Sequence, residues 1–401
     1  MSLKLSSFLK LGATEALCKG GNILISLILA AVFSPEEYST VVKLILLEVV
    51  FIETYLFGQH HSVLKGYDFS NTLISVVKYS VFNGIALLAV GYYVFNSLLL
   101  VYPLVFSILF QASAKLYTTR CRYLGRNDEY NRVRITEQLL RLISIVSLCY
   151  LGGNAQYYSV GALFGGMMIM LVLYSKKNEL TNFHLDDLLR LNFRSEHIRF
   201  GLPLGIHALA GSLYVIIDKV LVGSMMSTND LAVYAFTSTI AMSPFFALNV
   251  ISLAFTPKIY SCNGGALLSV RLKQFFITSI ASIFLIYILL ILVIYPYILS
   301  FYDDTYHQGK EFFNFFIIVL VLQALSNTFL YGLAAVKFVK LVPLVTISGL
   351  TLNCILGMLL VPHYFTKGVL ASFIIAEVFV CFMLYGLFKK SQNKIKYICD
   401  H

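Results

Sequence analysis

GLPLGIHALAGSLYVIIDKVLVGSMMSTNDLAVYAFT, residues 201–237, decides how this chain is read. It is an apolar helix long enough to cross a bilayer, yet Asp218 and Lys219 lie inside the apolar run. A charge at that depth costs about 2.5–3.5 kcal/mol on insertion scales, so it normally faces a bundle interior or a watery cavity. His207, Gly211, Tyr214 and Asp218 recur at helical spacing and give the helix one polar face. The stretch sits near the middle of 401 residues, where a second half of the molecule would begin.

Outward from this helix, long apolar runs recur from end to end. Charged residues make up 12% of the chain and mean hydropathy is +0.80, whereas soluble domains are about a quarter charged. The class is therefore an all-α polytopic membrane protein. The first twenty residues lack the short apolar core and small-residue cleavage site of a removable signal peptide, so the first helix is expected to stay. Seven cysteines (Cys18, Cys121, Cys149, Cys262, Cys354, Cys381 and Cys399) show no C-x-x-C spacing. Neither disulfides nor a metal site is expected from them.

About twelve spans can be placed, roughly at 9–32, 40–60, 72–95, 98–117, 136–155, 157–175, 200–223, 231–256, 274–298, 312–333, 341–361 and 368–389. Lys and Arg concentrate on one side of this arrangement: Lys115, Arg120, Arg122, Arg126, Arg132 and Arg134 in one loop, Lys389, Lys390, Lys394 and Lys396 at the end. The opposite loops hold only Lys310 and Lys367, beside Glu36, Glu37, Asp230, Asp303 and Asp304. The positive-inside rule then puts both termini in the cytoplasm. The net charge of +10 is thus spent on loops that meet anionic lipid, and no nucleic-acid partner is expected.

Residues 181–199, which include HLDDLLRLNF, read either as an amphipathic helix on the membrane surface or as an unstructured linker. They would join a bundle over 1–180 to one over 200–401. The first span has its own polar stripe, Glu15, Lys19, Asn22 and Ser26, at the spacing found in the seventh. Six spans per half give both copies the same orientation, which predicts two six-helix bundles related by a pseudo-twofold axis along the membrane normal.

The Gly-x-Pro opening at 201–203, the late Asp218, the short outer loop and the LAVY entry at 231–234 resemble polysaccharide-export flippases. Further likeness lies in YLGR at 123–126 and in LAAVKFVKLVP at 333–343. The last hairpin, LTLNCILGMLLVPHYFTKGVLASFIIAE at 350–377, adds Asn353, an LLVP exit and a GVLAS re-entry. This family, the O-antigen repeat-unit translocases, belongs to the multidrug/oligosaccharidyl-lipid/polysaccharide (MOP) exporter superfamily. The related peptidoglycan-precursor flippases usually carry two more spans than are found here.

The resemblance implies a central cavity lined by helices one, two, seven and eight. It also implies a cargo of undecaprenyl-pyrophosphate-linked oligosaccharide, moved from the cytoplasmic to the periplasmic leaflet of a bacterial inner membrane, with other polysaccharide-assembly membrane proteins as candidate partners. Such a cargo suits a cationic site: Lys19 first, then Arg141 or Lys219, with Asn22 and Tyr214 as polar contacts. Asp218, Glu15 or Glu53 would bind H⁺ or Na⁺ as coupling ion, with no other cofactor. Several readings stay open. Arg141 is one turn from Glu137 and suits a structural pair, snorkelling or substrate contact. Glu48 and Glu53 lie on different faces of the second span, and Glu377 has no obvious local partner.

Nothing enzymatic stands out: there is no Walker A loop, no HExxH and no Ser-His-Asp pattern. A membrane glycan polymerase would need a large outer loop with arginines, and the longest outer loop, about 300–311, has none. The alternative function is a multidrug/cation antiporter of the sister family, its carboxylates taking cationic drugs.

Overall fold

Connector residues set where each apolar run stops. In the computed structural model Ser34 caps α2 (Pro35–Leu56) by accepting from the Glu37 amide at 3.4 Å, with Pro35 in the first turn and Glu36 and Glu37 at the positive end of the helix dipole. Asp68 caps α4 (Phe69–Phe95) through the Asn71 amide at 2.9 Å. Ser227 and Asp230 form a reciprocal capping box at the start of α9 (Thr228–Ala241). The other long helices are α1 (Leu5–Val32), α5 (Leu98–Tyr123), α6 (Asn127–Gly152), α7 (Gln156–Tyr174), α8 (Glu196–Met225), α10 (Phe245–Tyr260), α11 (Gly265–Leu289), α12 (Phe315–Ala335) and α13 (Val342–Cys399). A short α3 (Gln59–Lys65) joins α2 to α4.

The structure describes residues 5–174 and 196–399, apart from 261, 263, 264, 337 and 339, and among these there is no strand. Most of the expected linker at 181–199, and the side chain of His207, lie outside the described residues.

Nine described helices are long and apolar enough to cross a membrane, ten when α9 and α10, bent by 43° across Met242–Pro244, count as one span. Two further crossings escape that measure for physical reasons. α13 merges two arms that part at Phe365, where φ 51° and ψ −134° leave the helical region. α2 is long and apolar enough, but Lys43, Glu48 and Glu53 put three charges into its apolar run. With α2 and the two arms of α13 counted separately, a helical segment lies at each of the twelve positions where the sequence expects a span.

The chain divides into two compact units, Gly20–Leu213 and Met1–Lys19 with Tyr214–His401. In the first, α7 lies along α6, α5 packs on α7 and α4, and α2 packs on α5 and α4. Glycines permit the closest approach: a Cβ at Gly161 would sit 2.7 Å from the Ile145 Cα, and one at Gly165 would sit 3.0 Å from the Arg141 Cα. Gly201, which opens the stretch quoted above, belongs here as well. A Cβ at that position would lie 3.0 Å from the Gly58 carbonyl oxygen, so the start of α8 passes close over the turn before α3.

In the C-terminal unit α12 packs on α11 and α13, and α10 packs on α11 and α12. Val319, Val345, Phe373, Ala376 and Val380 form a buried cluster around Tyr214 of α8. Asn353 in the first arm of α13 accepts from Ser372 Oγ in the second at 2.9 Å, which ties the last hairpin together.

Candidate functional site: an arginine–glutamate cluster in the N-terminal unit

Four helices of the N-terminal unit bring polar groups to one point. Glu48 on α2 is 3% exposed, and its carboxylate collects donors from α5, α6 and α7. Arg141 Nη2 of α6 donates to Oε2 at 2.6 Å, and the Tyr158 hydroxyl of α7 donates to the same oxygen at 2.7 Å. Gln111 Nε2 of α5 donates to Oε1 and also reaches Ser107 Oγ at 3.1 Å. Arg141 Nη1 in turn donates to Gln111 Oε1 at 3.3 Å, and Nη2 to the Tyr158 oxygen at 3.2 Å. The Arg141 Nε is buried and has no hydrogen-bond partner among the described residues. A buried ion pair is retained at low cost only when its remaining hydrogen-bonding groups are satisfied, so this donor is an open valence.

The cluster opens on a cavity of about 230 Å³. Its polar lining is Asn22, Glu48, Gln111, Arg141 and Tyr158, with Ile25, Val49 and Ile52 among the aliphatic walls. Asn22 is exposed and accepts from Gln138 Nε2 at 3.1 Å. The one cation and one anion in this lining are paired with each other at 2.6 Å, so an entering charged group must displace one of them.

Of the residues expected to touch cargo, Asn22 and Arg141 meet here. The pairing of Arg141 with Glu48 replaces the local alternative, because Glu137 instead takes Arg134 at 2.8 Å. The remaining candidates lie elsewhere. Lys19 belongs to the C-terminal unit and lies 6.0 Å from the centroid of the Phe246 ring, one turn after half-buried Glu15. Asp218 is 3% exposed. It accepts from the Tyr234 hydroxyl at 2.9 Å and from the Lys219 amide at 2.8 Å, while Lys219 Nζ lies 3.4 Å away. Tyr214 donates to Glu377 at 2.6 Å. Glu53 pairs with Lys115 at 2.5 Å.

Sequence reasoning left Glu48 undecided and did not single out Gln111 or Tyr158. A neutral amide in the middle of a span was the available signal for Gln111. Tyr158 sits near a helix start, where an interfacial ring is the ordinary reading.

Comparison with known proteins fits this architecture. A family model described as polysaccharide biosynthesis protein matches residues 126–261, and the MatE model matches 203–359. An uncharacterized membrane protein of Methanocaldococcus jannaschii is 26% identical over 253 residues, covering 58% of this chain and 55% of that protein. The chain thus spans about half the length of that relative. Among solved structures, an outward-facing multidrug-resistance MATE family transporter of the MOP superfamily matches with TM-score 0.63 at 14% identity, covering 97% of this chain and 96% of the other. An inward-facing structure of such a transporter gives 0.70 at 14%, over 94% and 95%. A MOP superfamily transporter from Pyrococcus furiosus, reported with a binding pocket of reversed polarity, gives 0.62 at 14%, over 97% and 96%. The chain shares its fold with these solved transporters.

Proposed function

We propose that this chain is a flippase that carries a polyprenyl-pyrophosphate-linked oligosaccharide from the cytoplasmic to the periplasmic leaflet, with both termini cytoplasmic in a bacterial inner membrane. The observation that carries this reading is the Arg141 guanidinium, which faces an intramembrane cavity with its Nε unsatisfied. Planar guanidinium groups bind phosphate oxygens through paired, charge-assisted hydrogen bonds. A pyrophosphate would take the place of the Glu48 carboxylate on Arg141, with the Gln111 amide and the Tyr158 hydroxyl reorienting as donors. At about 230 Å³ the cavity is smaller than the roughly 300–1,000 Å³ of drug-sized sites. It suits a head group, with the lipid tail left in the bilayer and the sugars outside this space. The match to a polysaccharide-biosynthesis family model supports the same cargo class.

The match to the MatE model favours a second reading, a multidrug/cation antiporter in which Glu48 takes a cationic drug. Two assays separate them. A deletion strain that accumulates lipid-linked repeat units on the cytoplasmic leaflet supports the flippase. Raised tolerance to cationic dyes on expression, with normal leaflet distribution in the deletion strain, supports the antiporter and overturns the first reading.

A further inference from the structure

Glu48, Glu53 and Asp218 each have a cation within 3.4 Å. Glu377, on the second arm of α13, is 2% exposed and has none among the described residues. The groups that face it are the Tyr214 hydroxyl from α8, which donates to Oε2 at 2.6 Å, and Ser326 Oγ from α12, which lies 2.9 Å from Oε1. Cys381 lies one turn along its own helix and gives its thiol to the Leu322 carbonyl at 3.3 Å. Gln323, one turn before Ser326, keeps its side-chain oxygen buried and unpartnered. Apolar side chains close the rest, with the Phe373 ring edge-on to Tyr214 at 5.6 Å between centroids.

Ser326 gives this site two complete hydrogen-bonding states. Its oxygen also lies 3.2 Å from the Gln323 backbone carbonyl. With Glu377 ionised, the serine hydrogen points at Oε1. With Glu377 protonated, the new O–H donates to Ser326 Oγ, and the serine hydrogen turns to the Gln323 carbonyl. No side chain has to move in either direction, and half-buried Ser326 supplies a polar side from which the proton arrives. A carboxyl whose described neighbours include no cation, beside a rotor that satisfies both forms, is built to change protonation state.

We infer that Glu377, with Tyr214 and Ser326, is a proton-binding site of the C-terminal unit, and that it supplies the coupling proton. The coupling role rests on the transport reading above; the binding of a proton does not. The test therefore uses protonation itself, with no cargo. Full-length protein in lipid nanodiscs is titrated while the infrared carbonyl stretch of a protonated carboxylic acid is followed. The expected result is a band that titrates with pH, persists in Glu48→Gln and is lost in Glu377→Gln. Ser326→Ala, which keeps the carboxyl and removes one hydrogen bond, should shift the band; this variant carries the test if Glu377→Gln does not insert. A band unchanged by both substitutions, or no titrating band at any pH, overturns the inference. With the band assigned to Glu377, equal flipping by wild type and Glu377→Gln under an imposed pH gradient would remove the coupling role while leaving the proton site.

Discussion

Arg141 keeps its charge inside the N-terminal unit because Glu48, Gln111 and Tyr158 surround it. Removing one partner of a buried pair strands the other, at about 3–5 kcal/mol, whereas replacing both by apolar groups of similar size is often neutral. Glu48→Ala should therefore lower the thermal transition of the detergent-solubilised protein sharply. Glu48→Leu with Arg141→Met should recover most of the loss yet transport nothing, which separates a binding role from a structural one. By contrast, Lys115→Ala, which breaks a pair whose side chains are 37% and 12% exposed, should cost less than Glu48→Ala. A thermal-shift series over these variants checks all three. The sequence shows each ionisable residue but not its partner, because Glu48 and Arg141 lie 93 positions apart. Local spacing offers Glu137 to Arg134 and Arg141 alike, and only the packing of α2 against α5 and α5 against α6 decides between them.

At the scale of the element, the approach of α7 to α6 holds Arg141 in place. Gly165→Ala puts a methyl 3.0 Å from the Arg141 Cα, and overpacking of this kind costs about 1–3 kcal/mol. The substitution should lower both stability and transport. Gly153→Ala, just past α6, meets no neighbour within 4 Å but holds φ +59°, so it should cost stability through backbone strain alone and spare transport. At the turn in α13, Phe365 occupies a conformation that glycine adopts freely. Phe365→Gly should therefore raise stability by about 1 kcal/mol, measured by the same thermal series. Helix positions were legible because apolar runs and their caps are local. The break inside α13 was legible as well, since LLVP and Gly368 punctuate it. The close-contact role of Gly201 was not, because Gly58 lies far away in sequence.

Over the whole molecule, the twelve spans expected from the sequence and the one-sided distribution of Lys and Arg predict cytoplasmic termini. In a cysteine-free background, Arg122→Cys should label with an impermeant maleimide only after the inner face is opened, and Ser300→Cys should label in intact cells. Labelling of both from the outside would contradict the topology. Polytopic class and the places of the long helices could be read from composition and periodicity, which add along the chain. The assembly of the site could not, since it depends on four helices meeting at one depth. The most direct measurement is leaflet exchange of a fluorescent polyprenyl-pyrophosphate oligosaccharide in proteoliposomes holding wild type or the stabilised Glu48→Leu, Arg141→Met variant. Rapid exchange by wild type, with at least about a tenfold loss in the variant, is the predicted result; equal exchange by both would contradict a pyrophosphate site at Arg141.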